Sequence, residues 1–402
     1  MEGRGFNILE KLLEPSLPDD FLAFTWGKSY QRIRGWPGKF SHLLPWHQLN
    51  DILRQHRLDF PRLRLVRDGR SLPSASYLRH VVSGKRKTTI PRLLPVGLTE
   101  QLRQGATLVL DAVDELYRPL EEIAEGLEFI FHERIQINTY AGWHTSRGFD
   151  LHWDDHDVLI LQVTGRKRWS IYGLTRPYPI AEDCEPNEKP TREPLWHGTL
   201  EDGDLLYIPR GWWHVAIPLD EPTLHLTVGI HNRTGIDLLR WLADRLRSRE
   251  IFRQDLPRFS SSAERMAHAG RLREELLEEW DGSLLERFYR DADAMAEPRA
   301  YLNLPWSVMT EALPPSNDAL VRLTAPRPVD LKAEEGVIEF SCQKKRWRLA
   351  ESALVVLRPL AEGRVCSVSE LCEIAKGRLE ERTVRTFLGE LILHGLLTII
   401  KD

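Results

Sequence analysis

An α+β fold organised around a block of short β-strands is predicted by three features of the sequence. Between residues 135 and 231, the segments IQINTY, HWD with the apolar run after it, KRWSIYG, GDLLYIP and LHLTVGIH are separated by turns that contain Gly or Pro. Before and after this block, apolar residues recur at spacings of three and four, which suits helices. A proline-rich stretch from Asn303 to Pro328 then precedes a mixed tail. Many short strands joined by such turns imply a sandwich or barrel with helices packed outside, and the block is expected to be a double-stranded β-helix.

Composition sets the outer limits. The 402 residues suffice for two or three domains and a large core. The formal net charge is −4, with 42% hydrophobic and 28% charged residues, so no global basic excess points to nucleic acid. Cys184, Cys342, Cys366 and Cys372 form no CxxC pair and do not resemble a disulfide framework, which fits a reducing cytosol. No N-terminal run reads as a signal peptide, and no apolar segment approaches the roughly 20 residues that span a bilayer. The expectation is a soluble cytoplasmic protein with no membrane partner.

Residues 1 to 60 combine helix-like segments with an aromatic-rich stretch that holds Trp26, Trp36, Phe40, Leu43, Trp46 and Leu49. These are assigned to core packing rather than to a ligand-binding patch. Residues 61 to 99 alternate short apolar runs with Pro, Gly and basic residues. Among them is Ser83-Gly84-Lys85-Arg86-Lys87, a basic loop read as solvated surface. From Leu98 to Glu128, the spacing of Leu108, Leu110, Val113, Leu116, Leu120, Ile123 and Leu127 predicts helix.

The stretch from Leu151 to Trp169, LHWDDHDVLILQVTGRKRW, carries the chemistry. Read as a strand, it puts His152 and Asp154 on one face. A second imidazole from a distant segment would complete a set of two histidines and one carboxylate, which holds non-heme Fe(II) and leaves positions open. His214, in GDLLYIPRGWWH, is the candidate. His156 shares the strand parity of His152 and Asp154, so periodicity alone also permits a local cluster. One short strand sets its side chains in a row, however, and a facial set needs convergence from different directions.

HWD followed by DVLILQVTGRKRW, then GDLLYIPRGWWH and LHLTVG, resembles the JmjC-type cupin group that includes the ribosomal oxygenases, which are iron- and 2-oxoglutarate-dependent protein hydroxylases. Three motifs match in order, and the resemblance covers most of the chain. It implies His152, Asp154 and His214 as metal ligands, Fe(II) as the metal, and 2-oxoglutarate and O2 as co-substrates. His144, His156, His197 and His231 are then left as structural histidines. The remote carboxylate of 2-oxoglutarate needs a fixed cation in a partly buried site. The resemblance gives that role to Lys167, whose neighbours Arg166 and Arg168 have the opposite strand parity. It also implies that Asn138, Tyr140 and Thr227 line the co-substrate pocket, where each can hydrogen-bond a carboxylate. His225 ranks behind them.

The implied function is hydroxylation of an amino-acid side chain, Arg or His foremost, in a ribosomal protein or other polypeptide. N-methyl-lysine demethylation ranks below it. A peptide-tailoring hydroxylase of a natural-product pathway would share fold and chemistry. A non-catalytic cupin with a winged helix is the alternative from another class, and the metal set with Lys167 argues against it.

The expected domains are 1–233, the JmjC/cupin catalytic unit with an N-terminal helical extension, 234–328, a helical region, and 329–402, a winged-helix-like unit. The amphipathic GIDLLRWLADRLRS opens the helical region, which in the resembling group mediates dimerisation, so a homodimer is expected. An internal helical bundle is the plainer reading of the same segments. In the tail, VIEFSCQKKRWRLA suggests strands, SVSELCEIAKG a serine-capped helix, and LEERTVRTFLGELILHGLLTII a helix and a final strand. From residue 330 onward, 12 Lys plus Arg balance 12 Asp plus Glu. A DNA-reading face needs a basic excess. Protein interaction or a structural role is therefore expected there, and DNA binding is not.

Overall fold

Short strands separated by Gly and Pro turns form the centre of the first of two units, residues 1–232, in this computed structural model. The structure describes residues 4–85, 87–183 and 188–401; Arg86 of the basic loop and Cys184 lie outside the described residues. The strands of this unit are β1 (Gln31–Ile33), β2 (Leu63–Arg67), β3 (Arg70–Ser71), β4 (Leu78–Ser83), β5 (Thr88–Leu93), β6 (Thr107–Leu110), β7 (Ile135–Gly142), β8 (Asp157–Thr164), β9 (Lys167–Leu174), β10 (Trp196–Leu200), β11 (Leu205–Ile208), β12 (Trp212–Pro218) and β13 (Thr223–Ile230). Its helices are α1 (Arg4–Leu13), α2 (Pro18–Asp20), α3 (Trp46–Gln55), α4 (Pro95–Arg103) and α5 (Arg118–Phe131). One sheet runs β1-β11-β8-β13-β7-β6-β2-β3, a second runs β10-β9-β12, and β4-β5 is a separate hairpin.

Strand alternation explains the layering. On β13, Leu224, Leu226, Val228 and Ile230 join the main core with Leu9 and Leu13 of α1 and Leu120 and Leu127 of α5. The intervening His225, Thr227 and Gly229 face a cavity. β7 divides in the same way, with Ile135, Ile137 and Ala141 in the core and Gln136, Asn138 and Tyr140 at the cavity. A smaller apolar cluster joins Val158 and Ile160 of β8 to Trp169 and Ile171 of β9. Because β8 also sends Leu159, Leu161 and Val163 into the main core, it is apolar on both faces and reads as an unbroken hydrophobic run. The aromatic N-terminal stretch is largely core: Phe40, Leu43 and Leu49 are buried, and Trp26 stacks on Phe131 at 4.6 Å and on Tyr207 at 5.4 Å. Trp36 is exposed.

Two segments of this unit differ from the sequence expectation. The helix predicted from Leu98 to Glu128 is interrupted, because α4 ends at Arg103 and Gly105 turns the chain at φ 92°. Thr107–Leu110 then forms β6, wholly buried and paired with β2 and β7. A four-residue central strand shows no alternation, so Leu108 and Leu110 fall in with the helical spacing of the residues that follow. The second difference lies at HWD. His152 to Asp154 are not a strand; β8 begins only at Asp157, and His152 makes an isolated antiparallel bridge with His214.

The second unit, residues 233–402, contains α6 (Gly235–Leu246), α7 (Ser262–Glu279), α8 (Leu284–Met295), β14 (Leu320–Leu323), β15 (Lys332–Glu334), β16 (Val337–Cys342), β17 (Lys345–Ala350), α9 (Leu354–Ala361), β18 (Cys366–Ser367), α10 (Val368–Ala375), α11 (Glu381–Leu393) and β19 (Leu397–Lys401). Capping boxes of Thr234 with Asp237 and Ser261 with Glu264 start α6 and α7. Leu238, Leu242 and Leu246 pack with Leu284 and Phe288, so the apolar face of α6 has an intrachain partner in α8. Residues 303–328, expected as a connector, supply β14, the middle strand of the sheet β18-β14-β19. Its four residues lie between proline-rich flanks, which hide so short a strand from pattern reading. Ser367 caps α10, as the sequence suggests, by accepting the Glu370 N–H at 3.0 Å. Cys342, Cys366 and Cys372 are free thiols. Among the described residues, no helix is long and apolar enough to cross a membrane.

Candidate metal centre

The bridge between His152 and His214 builds the site. The His214 N–H donates to the His152 carbonyl at 2.7 Å, the His152 N–H donates back at 3.1 Å, and the Gly211 N–H donates to the Asp154 carbonyl at 2.8 Å. These bonds fasten the HWD loop to the start of β12, so a remote imidazole meets two neighbouring donors. Ligand atoms of His152, Asp154 and His214 all lie within 4.8 Å of one another. His214 Nε2 is 3.5 Å from Asp154 Oδ2. Nδ1 of His152 faces the Asp150 carbonyl at 2.8 Å, and Nδ1 of His214 faces the Trp212 carbonyl at 3.0 Å. A carbonyl only accepts, so each Nδ1 carries the proton and each Nε2 presents its lone pair, the tautomer a metal ligand requires.

Electrostatics agree with that donor set. Burial pushes the Asp154 carboxyl up, but the imidazoles of His214, His152 and His156 outweigh it and hold it below the usual carboxylate range. Burial lowers His214 to about 4, with His152 adding to the shift and Asp154 opposing it. At neutral pH the site therefore offers an ionised carboxylate and an uncharged His214, the states in which each binds a cation.

A cavity of about 260 Å³ adjoins these donors. Gly165 sits in the β8–β9 turn at φ 68°, and a Cβ there would lie 2.1 Å from the Pro222 carbonyl oxygen. That glycine permits the tight turn from which β9 starts with Lys167 pointing inward. Along β9, Lys167 and Trp169 are buried and Arg168 is exposed, while Arg166 pairs with Glu221 at 3.0 Å. Lys167 is only 5% exposed. No carboxylate among the described residues pairs with it, and burial lowers its ammonium to about 7.

Cross-strand register sets Asn138 opposite Thr227 and Tyr140 opposite His225, with Tyr140 and His225 stacked at 4.9 Å. Asn138 Oδ1 already accepts from the Ala112 N–H and the Gln136 amide, both at 2.9 Å, so only its NH2 remains for a ligand. Trp169 Nε1, His225 Nδ1 and Thr107 Oγ1 line the cavity, are buried, and have no hydrogen-bond partner among the described residues. Each such atom costs about 1–3 kcal/mol unless a ligand satisfies it. An unpaired buried ammonium and orphaned polar atoms beside a His-Asp-His set fit a small anionic co-substrate that also reaches a metal ion.

Three features of the site have no clear signal in the sequence. Arg64 lines the cavity while its guanidinium bonds both oxygens of Asp111, at 2.9 and 2.7 Å. Asp157 is buried and accepts from the Arg210 N–H at 2.8 Å, Tyr207 Oη at 3.0 Å and Asn232 Nδ2 at 2.8 Å. It ties the turn before His214 to the end of β13. Asp157→Ala strands three donors and should cost about 3 kcal/mol or more, which a urea unfolding midpoint would report; an unshifted midpoint would refute this role. The third feature is His156 and His231, read from sequence as structural, which come together with Asp155 in a second cluster. His144, by contrast, pairs with Asp220 at 3.0 Å and His197 with Ser170 at 2.7 Å.

Residues 115–238 match the JmjC domain family. The chain is 29% identical over 233 residues to the bifunctional lysine-specific demethylase and histidyl-hydroxylase NO66 of Drosophila persimilis, a match covering 57% of this chain and 32% of that protein. It is 29% identical over 239 residues to ribosomal oxygenase 1 of Gallus gallus, covering 58% of this chain and 38% of that one. The chain thus matches about a third of the length of these curated relatives. Among solved structures, the Escherichia coli ribosomal oxygenase YcfD aligns with a TM-score of 0.57 at 17% identity, covering 96% of this chain and 98% of that one. YcfD in complex with cobalt and 2-oxoglutarate aligns at 0.55 and 16% identity, covering 95% and 98%. A mixed fold with a cupin-type block is common to them, and residues 115–238 of this chain are similar to the JmjC domain that the family model describes.

Proposed function

We propose that the chain is an Fe(II)- and 2-oxoglutarate-dependent oxygenase that hydroxylates an amino-acid side chain of a polypeptide, with a ribosomal protein as substrate and Arg or His as the residue modified. The observation that carries this reading is one cavity shared by the His-Asp-His set and a buried lysine that no carboxylate of the described residues neutralises. His152, Asp154 and His214 would hold the iron. Lys167 would pair with the remote carboxylate of 2-oxoglutarate, and Thr227, Tyr140 and the Asn138 NH2 would hydrogen-bond the same molecule. When bound, iron with 2-oxoglutarate and O2 supplies the oxidising power to place one oxygen atom in a C–H bond, the co-substrate leaving as succinate and carbon dioxide. The chain itself fixes the donors through the His152–His214 bridge, orients the co-substrate, and keeps water away with Val158, Ile160 and Trp169.

Similarity to a histidyl-hydroxylase, to ribosomal oxygenase 1 and to the ribosomal oxygenase YcfD supports a protein substrate. A homodimer would use the helical region, where Leu239, Leu277, Trp280, Leu285 and Tyr289 stay exposed beside the packed core of α6 and α8. The order α9-β18-α10-α11-β19 supports a winged-helix-like C-terminal unit, and its balanced charge favours protein contact over DNA. We place the protein in the cytoplasm, as its free thiols and ribosomal substrate would require.

The test is direct. Ribosomal proteins from cells lacking this gene are incubated with iron-loaded protein, 2-oxoglutarate and air, then digested for mass spectrometry. One Arg- or His-containing peptide should gain a single oxygen. If no ribosomal protein gains it, while 2-oxoglutarate is still consumed, this substrate class is wrong.

A further inference from the structure

Asp155 and His156 follow directly on Asp154, yet their side chains do not join the first donor set. With His231 they form a separate group in which one ligand atom of each residue lies within 4.8 Å of the other two, the same closeness that defines the first set. Local chain geometry explains the separation. His156 immediately precedes β8 and His231 immediately follows β13, and the two strands pair there through Gly229↔Val158 and Ile230↔Asp157. The register therefore brings the two imidazoles together, with ring centroids 4.4 Å apart.

His156 Nδ1 lies 2.9 Å from Asp155 Oδ1. A carboxylate oxygen and an imidazole nitrogen this close can share one ion in place of the Nδ1 proton, which metal binding would release. The ring rests over Gly229, where a Cβ would approach His156 Cδ2 to 3.0 Å and Nε2 to 3.1 Å. The glycine thus leaves the ring its place. Both histidines line the same cavity as the first donor set, and His231 is exposed, so an ion can arrive from solvent.

We propose that Asp155, His156 and His231 are a second divalent-metal site that takes Zn²⁺ or an ion of similar softness. Two imidazoles and one carboxylate are a donor set that zinc accepts, and three protein donors leave a fourth position of its tetrahedron for water or an incoming group. Because the site is more exposed than the first, its ion is the exchangeable one. The site stands or falls independently of the oxygenase reading.

Zinc alone is the probe. Full-length protein is dialysed against Zn²⁺, bound metal is counted by elemental analysis, and circular dichroism melts monitor the fold of each variant. Wild type should hold about two zinc ions per chain and His152→Ala about one, with the double variant His152→Ala/His231→Gln holding none. In His231→Gln the weaker site should lose more than about tenfold in affinity while the tighter one is unchanged. Cobalt absorption of His156→Gln gives a second readout should His231→Gln melt early, and it should lack one of the two cobalt signals. A wild-type chain that binds a single zinc, or a His231→Gln and a His156→Gln that still bind two, overturns the proposal. A His152→Ala variant that binds none overturns it as well.

Discussion

Asp154→Ala should abolish 2-oxoglutarate turnover and, in parallel, iron binding, each falling by more than about 100-fold, since even removing a group behind a metal ligand typically costs 10–100-fold. The reason lies in the donor set. Asp154 is its one anion, its carboxyl lying below the usual carboxylate range despite burial. Without it, two neutral imidazoles face a divalent cation in a partly buried place, and the cation's desolvation is no longer offset. His214→Ala should give the same loss because it removes a ligand, while the backbone bridge that fastens HWD to β12 stays in place. Succinate production with metal content measured on the same samples decides the matter. Full turnover in Asp154→Ala would rule out the metal assignment.

Lys167→Ala should leave iron binding intact and raise the apparent KM for 2-oxoglutarate by roughly 100- to 4000-fold, because losing one partner of a buried ion pair costs about 3–5 kcal/mol and about 1.4 kcal/mol is a factor of ten. An unchanged KM would show that the co-substrate sits elsewhere. The pH dependence has a definite sign. Burial alone lowers the ammonium to about 7, and the co-substrate's carboxylate binds only the protonated form. Affinity should therefore be level below pH 7 and weaken as pH rises through it, by about tenfold per unit, until the higher pKa of the paired lysine is passed. Lys167→Arg stays charged throughout, and should keep part of the affinity while flattening that slope.

How much of this was readable without coordinates depends on distance along the chain. Lys167 inside and Arg166 and Arg168 outside follow from strand parity, and β9 alternates in that way. Asn138 with Tyr140, and Thr227 with His225, are also period-two relations within single strands, and the register between β7 and β13 carries them onto one cavity wall. Parity was a poor guide where no strand exists. His152 and Asp154 lie in a loop, and their shared direction comes from hydrogen bonds to His214 and Gly211 rather than from a pleat. Asp157 looked like any acidic residue at a strand start, because its three donors arrive from segments 50 to 75 residues away.

The sequence by itself determined the strand block, the helices that cover it, the inward place of Lys167 and the three donors worth suspecting, since these rest on side-chain period and residue chemistry. Only the tertiary structure decided that Thr107–Leu110 is a strand, that β14 completes the C-terminal sheet, and that Asn138 has already spent its carbonyl oxygen. It also decided that His156 and His231 meet. The physical reason is the same in each case: a buried segment or a pair of rings finds its partner through strand register, and register joins residues whose separation in sequence gives no hint that they touch.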